Sequence, residues 1–254
     1  MIPRGVFFIL RLGGVRVLGY VQWREEEEPF AERITLCGVP FLAVRVERGR
    51  GLRGRYALRR AAKRLQRAHV RQAVFPPDFP ALPLFASYGV AEPDIRALRG
   101  EKAEEVVRAA LWRRGLRPGT ATLALEGGAL SRSAADTVLA LARSVRYLSL
   151  RFPDAEALAA RLRREYGVAV QHTGAADVVV RWGTGTAAED ALPMLLPLYD
   201  ASLAVEYASD TLPPEALREP MLAALLAAGA LRTEELHVKS VKFQPISADT
   251  GTSA

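Results

Sequence analysis

The stretch T-A-T-L-A-L-E-G-G-A-L-S-R-S-A-A-D-T-V-L-A-L, Thr120 to Leu141, decides how the chain is read. T-A-T-L-A-L has the composition of a buried strand, Gly127 and Gly128 make a turn, and a helix opens at Ser131 and runs to Arg143. In that order the three pieces set backbone N–H groups at a helix N-terminus, where an anion can be held.

Downstream the pattern repeats. R-Y-L-S-L-R predicts a strand, and Asp154–Tyr166 a helix with Asp154 as its N-cap. V-A-V-Q-H and A-D-V-V-V-R-W read as strands, Glu189–Tyr199 as a helix and S-L-A-V-E-Y as a strand. Pro214–Ala228 reads as a helix ended by Gly229, and H-V-K-S-V-K-F as the closing strand. Strands alternating with helices of roughly 12 residues imply an α/β fold, a mostly parallel sheet with helices on both faces.

Upstream the period differs. V-F-F-I-L-R-L and V-R-V-L-G-Y-V predict a hairpin across Gly13-Gly14, and R-I-T-L-C with F-L-A-V-R-V a second strand pair around the turn G-V-P. Ala57, Leu58, Ala61, Ala62, Leu65 and Ala68 form one helical stripe. Gln72–Phe75 reads as a short strand, A-L-P-L-F-A-S-Y as a short helix, and Ile95–Leu116 as a linking helix. The expected organisation is a strand-rich cap over 1–54, a small αβ unit over 55–118, the regular α/β domain over 119–246 and a disordered polar tail over 247–254.

Residues 100–245 resemble the NAD(P)-binding Rossmann superfamily, in the flavour of shikimate dehydrogenases and glutamyl-tRNA reductases, mainly in the order of elements. The family loop G-x-G-x-x-G-R falls over E-G-G-A-L-S-R, so Glu126, Gly128 and Ser131 take the glycine places and Arg132 the basic one. The first glycine makes the tight turn, the second lets backbone approach the pyrophosphate, and the third lets the helix pack on the strand. Glu126 departs from the pattern, because a carboxylate there repels a pyrophosphate unless it turns away. An acid is expected about 20 residues on to bond the ribose. Arg151 stands there instead, which suits a 2′-phosphate and makes NADP the cofactor to consider.

The resemblance therefore implies a nucleotide site built from Gly127, Gly128, Ser131, Arg132, Arg151, Trp182 and Thr184. The last two belong to W-G-T-G-T, a loop at a strand's carboxyl end. Asp177 starts the preceding strand, as in the family, and Glu206 is expected to end the next strand on the same side. His172, closing V-A-V-Q-H, is the one candidate for acid–base work. The lysine and aspartate pair of shikimate dehydrogenases has no counterpart before residue 100. Arg151 also speaks against a methyltransferase, which wants an acid there, and no G-x-S-x-G elbow exists.

Other features narrow the classes. Cys37 is the only cysteine, so no internal disulfide forms, and it reads as a small buried strand residue. His69, His172 and His237 lack metal-ligand spacing, and the run Glu25–Glu28 reads as a solvated loop, so no metal is expected. No apolar run reaches transmembrane length and none reads as a signal peptide, which gives a soluble, cytoplasmic expectation. The net charge of +7 suggests an anionic partner. From Arg45 to Arg71 there are eleven basic residues against one acid, Glu47, and R-G-R-G-L-R-G-R reads there as a phosphate-gripping loop. Aromatic residues are sparse around it, Tyr56 alone being near in sequence. An acidic partner or nucleic acid at this segment, an NADP-dependent oxidoreductase, and a degenerate nucleotide-binding domain acting as a ligand-binding or interaction module are the readings left open.

Overall fold

In the computed structural model, residues 17–24, 29–49, 51–145, 147–171, 176–182, 194–200 and 202–243 are described. They divide into two compact units: residues 1–93 with 224–231, and residues 94–223 with 232–254.

In the first unit, β1 (Leu18–Trp23), β2 (Ala31–Leu36), β3 (Val39–Val46) and β4 (Ala73–Val74) form a sheet in the order β2-β3-β1-β4. β3 carries the apolar run F-L-A-V and is buried nearly end to end, which suits an interior strand. β2 runs antiparallel to it, whereas β1 is parallel to both β3 and β4. The turn between β2 and β3 is Cys37-Gly38, with φ of 50° and 77°, one residue earlier than the expected G-V-P. Two successive positive φ values match the right-handed twist of the flanking strands. Cys37 is thus a half-buried turn residue and not a strand hydrophobe. The Gly13-Gly14 hairpin and the Glu25–Glu28 loop lie outside the described residues.

The stripe of alanines and leucines forms α1 (Gly51–Arg67) and buries Ala61, Ala62 and Leu65 against β-strand valines. The segment Gly51–Arg55, expected in a loop, is the first turn of this helix. Gly54 makes that start feasible: a Cβ there would fall 2.1 Å from the Gly49 carbonyl oxygen. Phe75, Phe79 and Phe85, the last on α2 (Leu82–Ser87), complete the core with ring centroids 5.1 to 5.5 Å apart.

The second unit begins with α3 (Arg96–Glu101) and α4 (Ala103–Arg113). One helix was expected there. It breaks at Lys102, whose buried ammonium donates to the Leu236 carbonyl and to Glu105 at 2.5 and 2.6 Å. Then follow β5 (Thr122–Gly127), α5 (Arg132–Leu141), β6 (Tyr147–Arg151), α6 (Glu156–Tyr166), β7 (Ala169–Gln171), β8 (Val178–Trp182) and β9 (Met194–Pro197). Their strands make one parallel sheet in the order β7-β6-β5-β8-β9, flanked by helices. Counted within the sheet this is 3-2-1-4-5, the order of a Rossmann-like half. Leu123, Leu125, Leu148, Val178 and Val180 fill its centre. The fold class expected from the alternation is the one observed.

Several local expectations are corrected. Residues 194–197, expected in a helix, are strand β9: prolines at 193 and 197 bracket three residues, too few for a helix and suited to a sheet edge. α6 starts after Ala155, with no side-chain cap from Asp154. Pro214–Leu217 is a 3-10 turn ahead of α7 (Glu219–Ala227), because Pro220 fits only a helix's first turn. β10 (Leu203–Ala208) and β11 (His237–Phe243) leave the parallel sheet and pair antiparallel with each other. The connection from β7 to β8 is six residues, 172–177, where a helical crossover takes a dozen or more.

Candidate functional site

The carboxyl ends of β5, β6 and β8 lie side by side, because the strands are parallel and in register. Glu126 pairs across to Arg151 on one side and to Arg181 on the other. In-register neighbours project to the same face of a sheet, so the three side chains meet. Arg181 Nε donates to Glu126 Oε1 at 2.6 Å, and its Nη2 lies at 2.6 Å from the same oxygen. Arg151 Nη1 stands 3.5 Å from Oε2. Glu126 is mostly covered, its side chain 19% exposed, whereas the arginines are 36% and 37% exposed. The carboxylate that stood in doubt thus lies between two guanidinium groups of its own sheet.

One step further, Gly127 has a distinct role. A Cβ at this position would lie 2.8 Å from Phe152 Cε1 and 3.3 Å from the Trp182 carbonyl oxygen. The Phe152 ring therefore rests directly on the glycine backbone and also packs on the Trp182 ring, centroids 6.0 Å apart. Phe152 and Trp182 are both buried, and the Trp182 indole nitrogen has no hydrogen-bond partner among the described residues. Beyond Gly127 the loop is open: Gly128 has nothing within 4 Å of a would-be Cβ.

Ser131 is the N-cap of α5, and its Oγ accepts from the Ala134 N–H at 3.1 Å. Arg132 is nearly fully exposed, 3.9 Å from Asp136 one turn on. Asp177 sits at the opposite end of the sheet, where its Oδ2 accepts from the Thr122 N–H at 2.8 Å and ties the starts of β8 and β5. Glu206 does not share the cleft. It lies on β10, where it accepts from Lys242 and Ser240 of β11, and these partners, Lys242 foremost, hold its carboxyl below the usual range. His172 and Thr184 lie outside the described residues.

The sheet thus brings Glu126, Arg151, Arg181, Gly127, Phe152 and Trp182 together, with Ser131 and Arg132 beyond the loop. Arg181 and Phe152 escaped the sequence reading. A signal existed for the first: Glu126, Arg151 and Arg181 each follow an apolar strand run, in L-A-L-E, L-S-L-R and V-V-V-R. Chemically, two guanidinium groups and one carboxylate leave one surplus positive charge at the sheet end.

Elsewhere in this unit a second arginine cluster is internal. Arg99 is 2% exposed and donates to Glu219 at 2.6 and 2.7 Å and to the carbonyls of Leu198, Asp200 and Leu203. The Tyr207 hydroxyl also donates to Glu219, at 3.1 Å. Burial, together with that carboxylate, pushes the Tyr207 hydroxyl well above the ordinary tyrosine range. Among the described residues no three His, Cys, Asp or Glu side chains converge as metal ligands would, and no helix is long and apolar enough to cross a membrane.

No protein-family model matches the chain, and no curated protein matches it significantly in sequence. A comparison with solved structures returns matches of low identity. A shikimate 5-dehydrogenase-like protein is 11% identical, covering 67% of this chain and 66% of that one with a TM-score of 0.25. L-Tryptophan dehydrogenase from Nostoc punctiforme is 15% identical over 84% of this chain and 68% of its own, with a TM-score of 0.30. Quinate dehydrogenase from Corynebacterium glutamicum, solved in complex with NAD, is 14% identical over 66% and 70%, with a TM-score of 0.24. The match spans about two thirds of each neighbour's length. The Rossmann-like assignment rests on this chain's own strand order.

Proposed function

We propose that the second unit is a Rossmann-like domain whose dinucleotide corner is closed by its own side chains, and that it serves as a binding or interaction module and not as an oxidoreductase. The observation that carries this reading is Glu126, at the end of the central strand and paired with both Arg151 and Arg181. A pyrophosphate at that corner needs bare backbone N–H groups and a glycine that lets it approach. Here a carboxylate occupies the first glycine place and the Phe152 ring packs on Gly127, which leaves Gly128 as the one glycine place still kept and open, and the fingerprint incomplete for a dinucleotide.

The oxidoreductase alternative would draw on Arg151 for a 2′-phosphate and on Ser131 for the pyrophosphate. Arg151 is turned to Glu126, and the Ser131 hydroxyl caps its own helix. Both would have to change partners before a dinucleotide could be held. A thermal-shift titration with NADP and NAD tests the reading. A ligand at 100 times its Kd raises native stability by about 2.7 kcal/mol, a shift of several degrees. The expected result is no shift at millimolar concentration. A saturable shift with NADP that is abolished by Arg151→Ala would overturn the proposal in favour of the oxidoreductase.

A further inference from the structure

The first unit carries a feature that stands independently of the closed corner. α1 holds Arg53, Arg55, Arg59, Arg60, Lys63, Arg64 and Arg67 and no acid in its 17 residues. Among the described residues no carboxylate pairs with any of the seven. A groove of about 440 Å³ opens along this helix and is lined by Arg24, Arg45, Arg53 and Arg60; Glu47 holds Arg24 at 2.9 Å and Glu32 holds the buried Arg45, which leaves Arg53 and Arg60 as its cations with no carboxylate among the described residues.

The groove is also aromatic. Arg53, Tyr56 and Arg60 stand at i, i+3 and i+7, so they share one helix face. Tyr56 is 71% exposed and Leu52, one turn before it, 84%. In the groove lining the Arg60 guanidinium carbon lies 4.4 Å from the centroid of the Phe30 ring, and outside the lining that of Arg48 lies 5.3 Å from the Trp23 ring. Phe30 and Trp23 are distant in sequence from the basic segment, so the interleaving of rings and cations appears only once the chain is folded.

We propose that this groove binds single-stranded nucleic acid, with phosphates on Arg53 and Arg60 and an unpaired base stacked on Tyr56. Flat guanidinium groups grip phosphate in two places and stack on rings, and six of the seven cations of α1 are arginine. An exposed ring between two cations is a platform for a base, because every base offers a π-face. A duplex would reach only the arginines and leave Tyr56 idle. A membrane surface fits less well: the apolar stripe of α1, through Ala61, Ala62 and Leu65, is already buried in the core, which leaves only Leu52 and Tyr56 at its start to insert.

The test is fluorescence anisotropy of the full chain with labelled oligo-dT and oligo-U of about 20 nucleotides. Measuring at several salt concentrations gives the slope of log K against log[salt]. Saturable binding to either strand is expected at about 50 mM salt, weakening steeply by about 200 mM. Arg53→Gln with Arg60→Gln should lower affinity at least tenfold and flatten the slope by roughly 1.4, two phosphate contacts' worth on a single strand. Tyr56→Ala should lower affinity about tenfold with the slope unchanged, and Tyr56→Phe should restore it. Arg117→Gln with Arg143→Gln, an equal charge change on exposed residues of the other unit, should stay within about twofold of wild type. Several results would overturn the proposal: no binding at the lower salt, equal loss from the Arg117/Arg143 pair, or Tyr56→Ala without effect. Displacement by poly-glutamate as readily as by unlabelled strand would reduce the groove to a general polyanion surface. Tighter sedimentation with phosphatidylserine vesicles than binding to either strand would replace the occupant with a membrane.

Discussion

Arginine is used in opposite ways in the interior and sheet end of the second unit and along α1 of the first. In the second, Arg99 is buried and saturated by Glu219 and three carbonyls, and Arg151 and Arg181 close on Glu126. Along α1 of the first unit, seven cations face outward with no carboxylate among the described residues. Composition shows only that the chain is basic. The difference teaches that partner geometry separates structural cations from binding ones: the parallel sheet has spent its charges internally, and the helix of the first unit has not.

The largest expected effect falls on the internal side of that contrast. Arg99→Ala should destabilise the second unit by about 3–5 kcal/mol, because it strands Glu219 and three carbonyls in the interior. Urea unfolding measures it, and a cost below about 1 kcal/mol would mean that water reaches the cluster. Next comes Gly54→Ala, where the Cβ meets the Gly49 carbonyl; about 3 kcal/mol of strain, or loss of the first helical turn by circular dichroism, is expected. An unchanged spectrum and midpoint would show that R-G-R-G-L-R-G-R is not held as the start of α1.

Glu126→Ala is smaller, about 1–2 kcal/mol, since its arginine partners keep part of their hydration. A neutral or stabilising outcome would break the contrast, because it would show Arg151 and Arg181 to be poised for a ligand. Tyr207 gives a pH signature. Its folded-state value is raised, so the folded chain keeps a proton that the unfolded chain releases near pH 10. The stability it contributes is complete below that pH and declines as pH rises beyond it. Tyr207→Phe should flatten the decline above pH 10; an unaltered slope would place the alkaline transition elsewhere. Smallest of all, Arg53→Gln with Arg60→Gln should shift stability by no more than about 0.5 kcal/mol, as for solvated residues.

Much of the architecture could be read directly. The parallel strands follow from short apolar runs alternating with helical segments, and the α1 stripe from a period of 3.6, both of which local sequence carries well. Met194–Pro197 was misread because four apolar residues fit a strand or a helix equally until a neighbouring strand claims them. The first turn of α1 looked like a loop because glycine and arginine there match loop composition, whereas Gly54 answers to Gly49 across a close approach. At the corner, the Glu126 anomaly was visible, but its resolution needed the register of three strands. Phe152 over Gly127, and Phe30 and Trp23 beside α1, depend on tertiary packing that no local pattern encodes.

The closed corner is most directly tested at Trp182, whose ring packs on Phe152 beside Gly127. With Trp23→Phe and Trp112→Phe in place, Trp182 is the sole tryptophan, and its emission can be followed while NADPH is added. The closed corner predicts a response that is linear in NADPH and identical to that of free tryptophan. Saturable quenching with energy transfer to the nicotinamide would contradict it, and would place a dinucleotide where Glu126 and Phe152 now stand.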